Sequence, residues 1–147
     1  MCMNEFNNYA ERGSFEYTGG DNNWNRLVNS VVTKKQKGVY CMKVGDEIVY
    51  IGKGGSVYQD GSWGGQGLQR RLINRRGKDA DGNSMSTKVW INNWLSDMGK
   101  TELTVCWAVT FEDDPNGIKD IPAYVEAKLL QKFFDVNNKL PRWNIEF

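Results

Sequence analysis

Three groups of residues in this 147-residue chain have the types and spacing to do chemistry. Glu126 is the first. At roughly 100° per residue along a helix through Pro122 to Asp135, it falls in the middle of an apolar stripe with Ala123, Val125, Ala127, Leu129, Leu130, Phe133 and Phe134. Tyr124, Lys128, Gln131, Lys132 and Asp135 take the far side. A carboxylate held among apolar side chains is costly if charged and alone, so it must be paired, protonated or bound to a metal. A buried ion pair with Arg or Lys, or a stripe that faces a cleft rather than a core, satisfies the same pattern.

Arg71 and Arg75 form the second group, four residues apart beside Leu68, with Arg70 and Arg76 adjacent. Like charges at this spacing repel unless an anion lies over them, and the guanidinium fork suits phosphate. A solvated basic face is the alternative. Tyr40 and Tyr50, ten residues apart across an expected hairpin, are the third group. A turn with an odd number of residues puts Tyr40, Met42, Val44, Ile48, Tyr50 and Gly52 on one face, whereas a two-residue turn puts the tyrosines on opposite faces. On strand position alone they read as ordinary strand aromatics.

The chain has no histidine, which removes Ser-His-Asp and Cys-His relays, His-ligated zinc and His-based nucleases. Any general base must then be Tyr, Lys, Cys or a carboxylate. With 19 Lys and Arg against 18 Asp and Glu, the net charge of +1 carries no global nucleic-acid signal, but a local basic patch is compatible with it. Cys2, Cys41 and Cys106 are odd in number and follow no motif spacing, so they read as reduced core thiols in a cytoplasmic protein. No apolar run reaches the roughly 18 residues of a membrane span. Asp79 to Asn83 begins like a calcium loop, but Gly82 stands at its fourth position, Ser84 at its sixth and Trp90 where the Glu belongs. The Gly-rich segment has neither GxxxxGK[ST] nor GxGxxG, so no nucleotide cofactor is expected.

The elements that must position these residues form one domain of α+β class. Residues 1–36 read as an N-terminal extension packed on the core, with a short helix over Asp21 to Val32 and a basic end at Lys34, Lys35 and Lys37. Residues 37–147 carry the rest. Gly38–Val44 and Glu47–Gly52 are strands around Gly45-Asp46, and a Gly-rich surface loop with Trp63 near its centre fills Lys53 to Gly67. A helix over about Gly67 to Arg76, a polar loop over Gly77 to Ser84, and a helix over Thr87 to Met98 follow. Glu102–Phe111 is a third strand and Pro122–Asp135 a third helix. The order β-β-α-α-β-α gives a three-stranded antiparallel sheet flanked by helices.

Taken in order, Gly38-Val39-Tyr40, Tyr50-Ile51-Gly52-Lys53, Leu68-x-x-Arg71-Leu72, Glu126 and Pro141-Arg142-Trp143-Asn144 resemble the GIY-YIG nuclease superfamily, closest to short phage-encoded and restriction endonucleases. The resemblance runs from about residue 38 to 147. It implies a metal-dependent endonuclease on duplex DNA, leaving 3′-hydroxyl and 5′-phosphate ends. Carried over by position, Tyr40 is the general base, in tyrosinate form favoured by Lys53, Arg71 and the metal. Tyr50 positions water and phosphate, and Arg71 binds the scissile phosphate. Glu126 holds one divalent cation, Mg²⁺ or alternatively Mn²⁺. Asn144 matches the family asparagine, with Asn137 and Asn138 as the other candidates. Where many members have His or Tyr this chain has Arg75, a phosphate contact rather than a proton handler. With no appended DNA-binding domain, Lys34, Lys35, Lys37, Trp63, Arg70, Arg75, Arg76 and Lys78 are the expected nucleic-acid contacts. One site cuts one strand, so double-strand cleavage implies a homodimer, a higher oligomer or sequential nicking. A structure-selective or RNA-cleaving nuclease and a catalytically silent nucleic-acid-binding module are the rival readings.

Overall fold

The structure is a computed structural model that describes residues 3–145, and of Arg75 and Gly77 the backbone alone. After a short 3-10 turn at Asn4–Asn8 come β1 (Arg12–Thr18), α1 (Trp24–Val31), β2 (Lys37–Val44) and β3 (Glu47–Gly54). Two short strands, β4 (Ser56–Val57) and β5 (Trp63–Gly64), precede α2 (Leu68–Ile73). The hairpin of β6 (Arg75–Lys78) and β7 (Ser84–Ser86) leads into α3 (Thr87–Asp97), β8 (Glu102–Phe111) and α4 (Pro122–Asn137). The class is α+β, and no helix among the described residues is long and apolar enough to cross a membrane.

The main sheet has four antiparallel strands in the order β1-β8-β2-β3, not the expected three. The extra edge comes from the N-terminal segment, where Phe15 and Tyr17 alternate with exposed residues and β1 pairs along β8. Helices cover both faces. On one, α1, α2 and α3 bring Trp24, Val28, Leu68, Leu72, Ile91 and Leu95 onto Tyr17, Tyr40, Met42 and Val105. On the other, Val125, Leu129 and Leu130 of α4 join Phe6 and Tyr9 over Val39, Cys41, Ile51 and Ala108. Cys41 is a buried free thiol, and burial pushes its pKa up to about 11. Cys106 is disulfide-bonded, which corrects the expectation of three reduced thiols; Cys2 lies outside the described residues.

The β2–β3 hairpin settles the tyrosine faces in a way that turn length alone does not. Its turn has two residues, Gly45 with φ +60° and Asp46. That turn alone would separate the tyrosines. Met42 pairs with Tyr50 while Lys43 pairs with Ile48, so Val49 is an unmatched bulge residue. The bulge shifts the alternation by one and returns Tyr50 to the face of Tyr40. Val49 does not lose its carbonyl partner, because it accepts the Trp143 N–H at 2.8 Å. Two residues on, the Asn144 side chain clips the open edge of β3. Ile51 N–H donates to Asn144 Oδ1 at 2.9 Å, and Asn144 Nδ2 donates to the Ile51 carbonyl at 3.0 Å. The C-terminal tail therefore acts as a short cover for the edge that carries Tyr50.

Gly52 is required by close approach rather than by its dihedrals. A Cβ there would lie 2.6 Å from the ring and hydroxyl of Tyr40 and 2.9 Å from the ring of Tyr50. Replacing Gly52 by Ala is therefore expected to cost about 1–3 kcal/mol through overpacking. A urea melt measures this, and an unchanged midpoint at unchanged slope would show that Tyr40 is not held against β3.

Candidate functional site

The helix that carries Arg71 is shorter than its periodicity predicts. It ends at Ile73, because from Arg75 the chain enters β6 and pairs with β7, with Arg75 opposite Ser86 and Arg76 opposite Met85. The polar loop expected over Gly77 to Ser84 is thus part of a hairpin. Its turn is closed by Asp79, whose Oδ1 accepts the N–H groups of Asp81 and Asn83, both at 2.9 Å. The anticipated helical pair of Arg71 and Arg75 does not form, and the Arg75 side chain lies outside the described residues. Arg76 is instead carried inward by β6.

Arg76 is only 8% exposed. Its Nη1 donates to the Tyr50 hydroxyl at 2.8 Å, and its Nη2 donates to the Tyr40 hydroxyl and, at 3.1 Å, to the Arg71 carbonyl. The guanidinium carbon sits 5.6, 5.1 and 5.1 Å from the ring centres of Tyr40, Tyr50 and Trp90. Behind this cage, Trp90 meets Tyr50 and Trp143 edge-on at 5.2 and 5.6 Å, and Trp94 stacks on Trp143 at 5.7 Å. Arg76 was expected at the DNA-facing surface, yet it is the interior partner of both tyrosines.

Tyr50 looks outward from this cluster into an open cleft of ≈ 420 Å3 that is also lined by Lys53, Gly55, Ser56, Gln66, Arg71 and Glu126. Lys53 follows Tyr50 on β3, Arg71 projects from α2 and Glu126 from α4. No hydrogen bond or ion pair among the described residues engages the side chains of Lys53, Arg71 or Glu126. Glu126 is half-buried, so the apolar stripe of α4 meets a cleft at this position rather than a core. Burial raises its pKa, although Lys53, Arg71 and Arg76 pull the other way.

Tyr40 has no such access. Its exposure is 0%, and burial pushes its pKa up to about 12 against the opposing pull of Arg76. Burial thus favours the neutral phenol, while Arg76 and Arg71 favour the tyrosinate expected from the resemblance, and burial is the larger effect. Asn144 also stands apart from the cleft lining, with its amide committed to Ile51. Asn137 is exposed and donates to Phe133 O, and Asn138 caps α4 in the left-handed region at φ 57°. Of the three asparagines, Asn144 is the one whose side chain is hydrogen-bonded to the strand that bears Tyr50 among the described residues.

The expected nucleic-acid contacts divide. Lys34, Lys35, Arg70 and Lys78 are exposed. Lys37 is not: it is 1% exposed, its Nζ lies 2.8 Å from Asp113 Oδ1 and 3.9 Å from the ring centre of Trp63. Trp63 in turn donates to Asp113 Oδ2 at 3.1 Å. These residues form a clasp that fastens the β4–β5 hairpin, within the expected Gly-rich loop, beside the cleft. Sequence reasoning missed Arg76 as a tyrosine partner, Trp90 as the cage wall and Asp113 as the clasp. Helical spacing signalled Trp90 as an apolar residue, but nothing local in the sequence pairs Lys37 with Asp113.

Comparison with family models, with curated proteins and with solved structures found no match to this chain.

The position of Glu126 has a measurable cost. Because burial outweighs the neighbouring cations, Glu126→Gln is expected to raise the thermal midpoint at pH 7. A raised folded pKa means that the wild type gains on the variant as pH falls through it, so the difference closes towards acid pH. Melts at pH 7 and pH 4 check this; a variant less stable than wild type at pH 7 would mean that Glu126 has a partner in the fold.

Proposed function

We propose that this chain is a metal-dependent endonuclease of GIY-YIG type that hydrolyses phosphodiester bonds in duplex DNA. The observation that carries the reading is the convergence of Lys53, Arg71, Glu126 and Tyr50, from three separate elements, on one cleft in which neither cation pairs with the carboxylate. A fold gains nothing from holding two cations and a carboxylate unpaired, whereas a phosphodiester with its cation uses all three. The order of elements from β2 onward also agrees with the family order named above.

Lys53 and Arg71 bind the scissile phosphate and offset the charge that builds on its oxygens during attack. Tyr50 reaches the same space and supplies a hydroxyl to phosphate or water. Tyr40, kept neutral and covered, supports Tyr50 rather than acting as the base. The donor set fits a divalent ion that takes little from the protein. Among the described residues no group of three ligating side chains exists, and Glu126 is the one carboxylate in the cleft lining, its oxygens uncommitted. Mg²⁺ commonly binds through one or two carboxylates, completed by water and substrate phosphate. Glu126 would hold it, and the ion would supply Lewis-acid stabilisation of the leaving 3′ oxygen. The exposed Lys34, Lys35, Arg70 and Lys78 are available to the DNA backbone. A binding-only module is the second reading, favoured by the neutral, covered state of Tyr40.

Supercoiled plasmid separates the two. With Mg²⁺ or Mn²⁺ the wild type is expected to nick or linearise it, EDTA to stop the reaction, and Glu126→Ala or Arg71→Ala to slow it by on the order of 10²-fold or more. Intact plasmid in both metals alongside retained DNA binding would establish the binding-only reading.

A further inference from the structure

The cage around Arg76 is an expensive arrangement for a fold to keep. The side chain is buried, no carboxylate pairs with it among the described residues, and its Nε is buried without a partner. Cation–π contacts with Tyr40, Tyr50 and Trp90 and hydrogen bonds to phenol and carbonyl oxygens offset part of the desolvation. An apolar side chain of the same length would fill the space without a buried charge. The polar handle therefore needs a reason outside packing, and the geometry around it supplies one.

Tyr50 lines the cleft while its oxygen accepts from Arg76 Nη1 at 2.8 Å. A guanidinium has only donors, so the Tyr50 proton cannot point at Arg76 and must be given elsewhere. On its open side that direction is the cleft containing Lys53 and Arg71. The second Nη2 bond, to the Arg71 carbonyl at 3.1 Å, ties the same guanidinium to the α2 residue that supplies the phosphate-facing cation.

We propose that Arg76 is a positioning residue: it orients the Tyr50 hydroxyl as a hydrogen-bond donor to a substrate phosphate oxygen and sets Tyr50 and Arg71 at a fixed separation. It touches no substrate itself. This rests on the nuclease reading, which names the phosphate that the hydroxyl meets. It also separates two roles for basic residues near the cleft, because an arginine that contacts phosphate contributes to affinity and to its salt dependence, and a positioning arginine does not.

The test compares Arg76→Met and Arg76→Lys with wild type in single-turnover cleavage, in duplex binding under EDTA at several salt concentrations, and in thermal melts. For Arg76→Met the expected result is cleavage slower by on the order of 10²-fold with affinity and salt slope unchanged and a thermal midpoint equal or higher. Arg76→Lys, which keeps a donor, is expected to recover part of the rate. Cleavage by Arg76→Met at the wild-type rate would overturn the proposal while leaving the nuclease reading standing. So would a salt slope lower by about one, the mark of a direct phosphate contact. A lowered midpoint with no recovery by Lys would assign Arg76 to the fold alone. A wild type that does not cleave fails the nuclease reading itself, and the proposal with it.

Discussion

A buried guanidinium shared by two tyrosine hydroxyls is the interaction on which the rest of the site depends. To reach both, Arg76 needs Tyr40 and Tyr50 on one face of adjacent strands, and a two-residue hairpin supplies that only because Val49 bulges out of register. The rings then need room, which Gly52 provides by having no Cβ. They also need a wall, which α3 provides as Trp90, backed by Trp143 from the C-terminal tail. Asn144 and the Trp143 N–H fasten that tail to β3, so the same few residues close the edge strand and brace the cage.

The cleft follows from where this cage stops. Tyr50 is the cage member that lines it, and beside it Lys53, Arg71 and Glu126 stand with no hydrogen-bond or ion-pair partner among the described residues. Elsewhere Lys37 pairs with Asp113, Lys132 with Glu5 and Arg142 with Glu47. Opposite charges left unpaired in one cleft would suit the phosphate and cation of the proposed function. The desolvation that raises the Glu126 pKa is the energetic side of the same arrangement.

Regular periodicity was legible. Glu102–Phe111, the Gly45-Asp46 turn and the α4 stripe around Glu126 all appear where alternation and helical spacing place them. What was not legible depends on contacts far along the chain. Arg12–Thr18 carries only Phe15 and Tyr17 as inward residues, and its pairing with β8 spans most of the sequence, so it reads as part of an irregular extension. Lys37 sits in a run with Lys34 and Lys35 that reads as solvated, and its burial depends on Asp113, 76 positions away. The residues after Arg71 continue a helical pattern, yet pairing between β6 and β7 wins from Arg75 onward and turns Arg76 inward. A bulge leaves no composition signature, so the shared face of the tyrosines stayed undetermined until the register was known. The absence of histidine leaves tyrosine among the few side chains that could handle a proton; burial then divides the pair, with Tyr40 behind and Tyr50 at the cleft.

The claim that the cleft is built for a phosphodiester is tested most directly by equilibrium binding of a short duplex in EDTA to wild type, Arg71→Ala and Glu126→Ala. With no metal present, the account predicts that losing Arg71 weakens binding and that losing the Glu126 charge, which repels the phosphate, strengthens it severalfold. Equal affinity for all three proteins would contradict the account, because it would place the DNA away from the cleft.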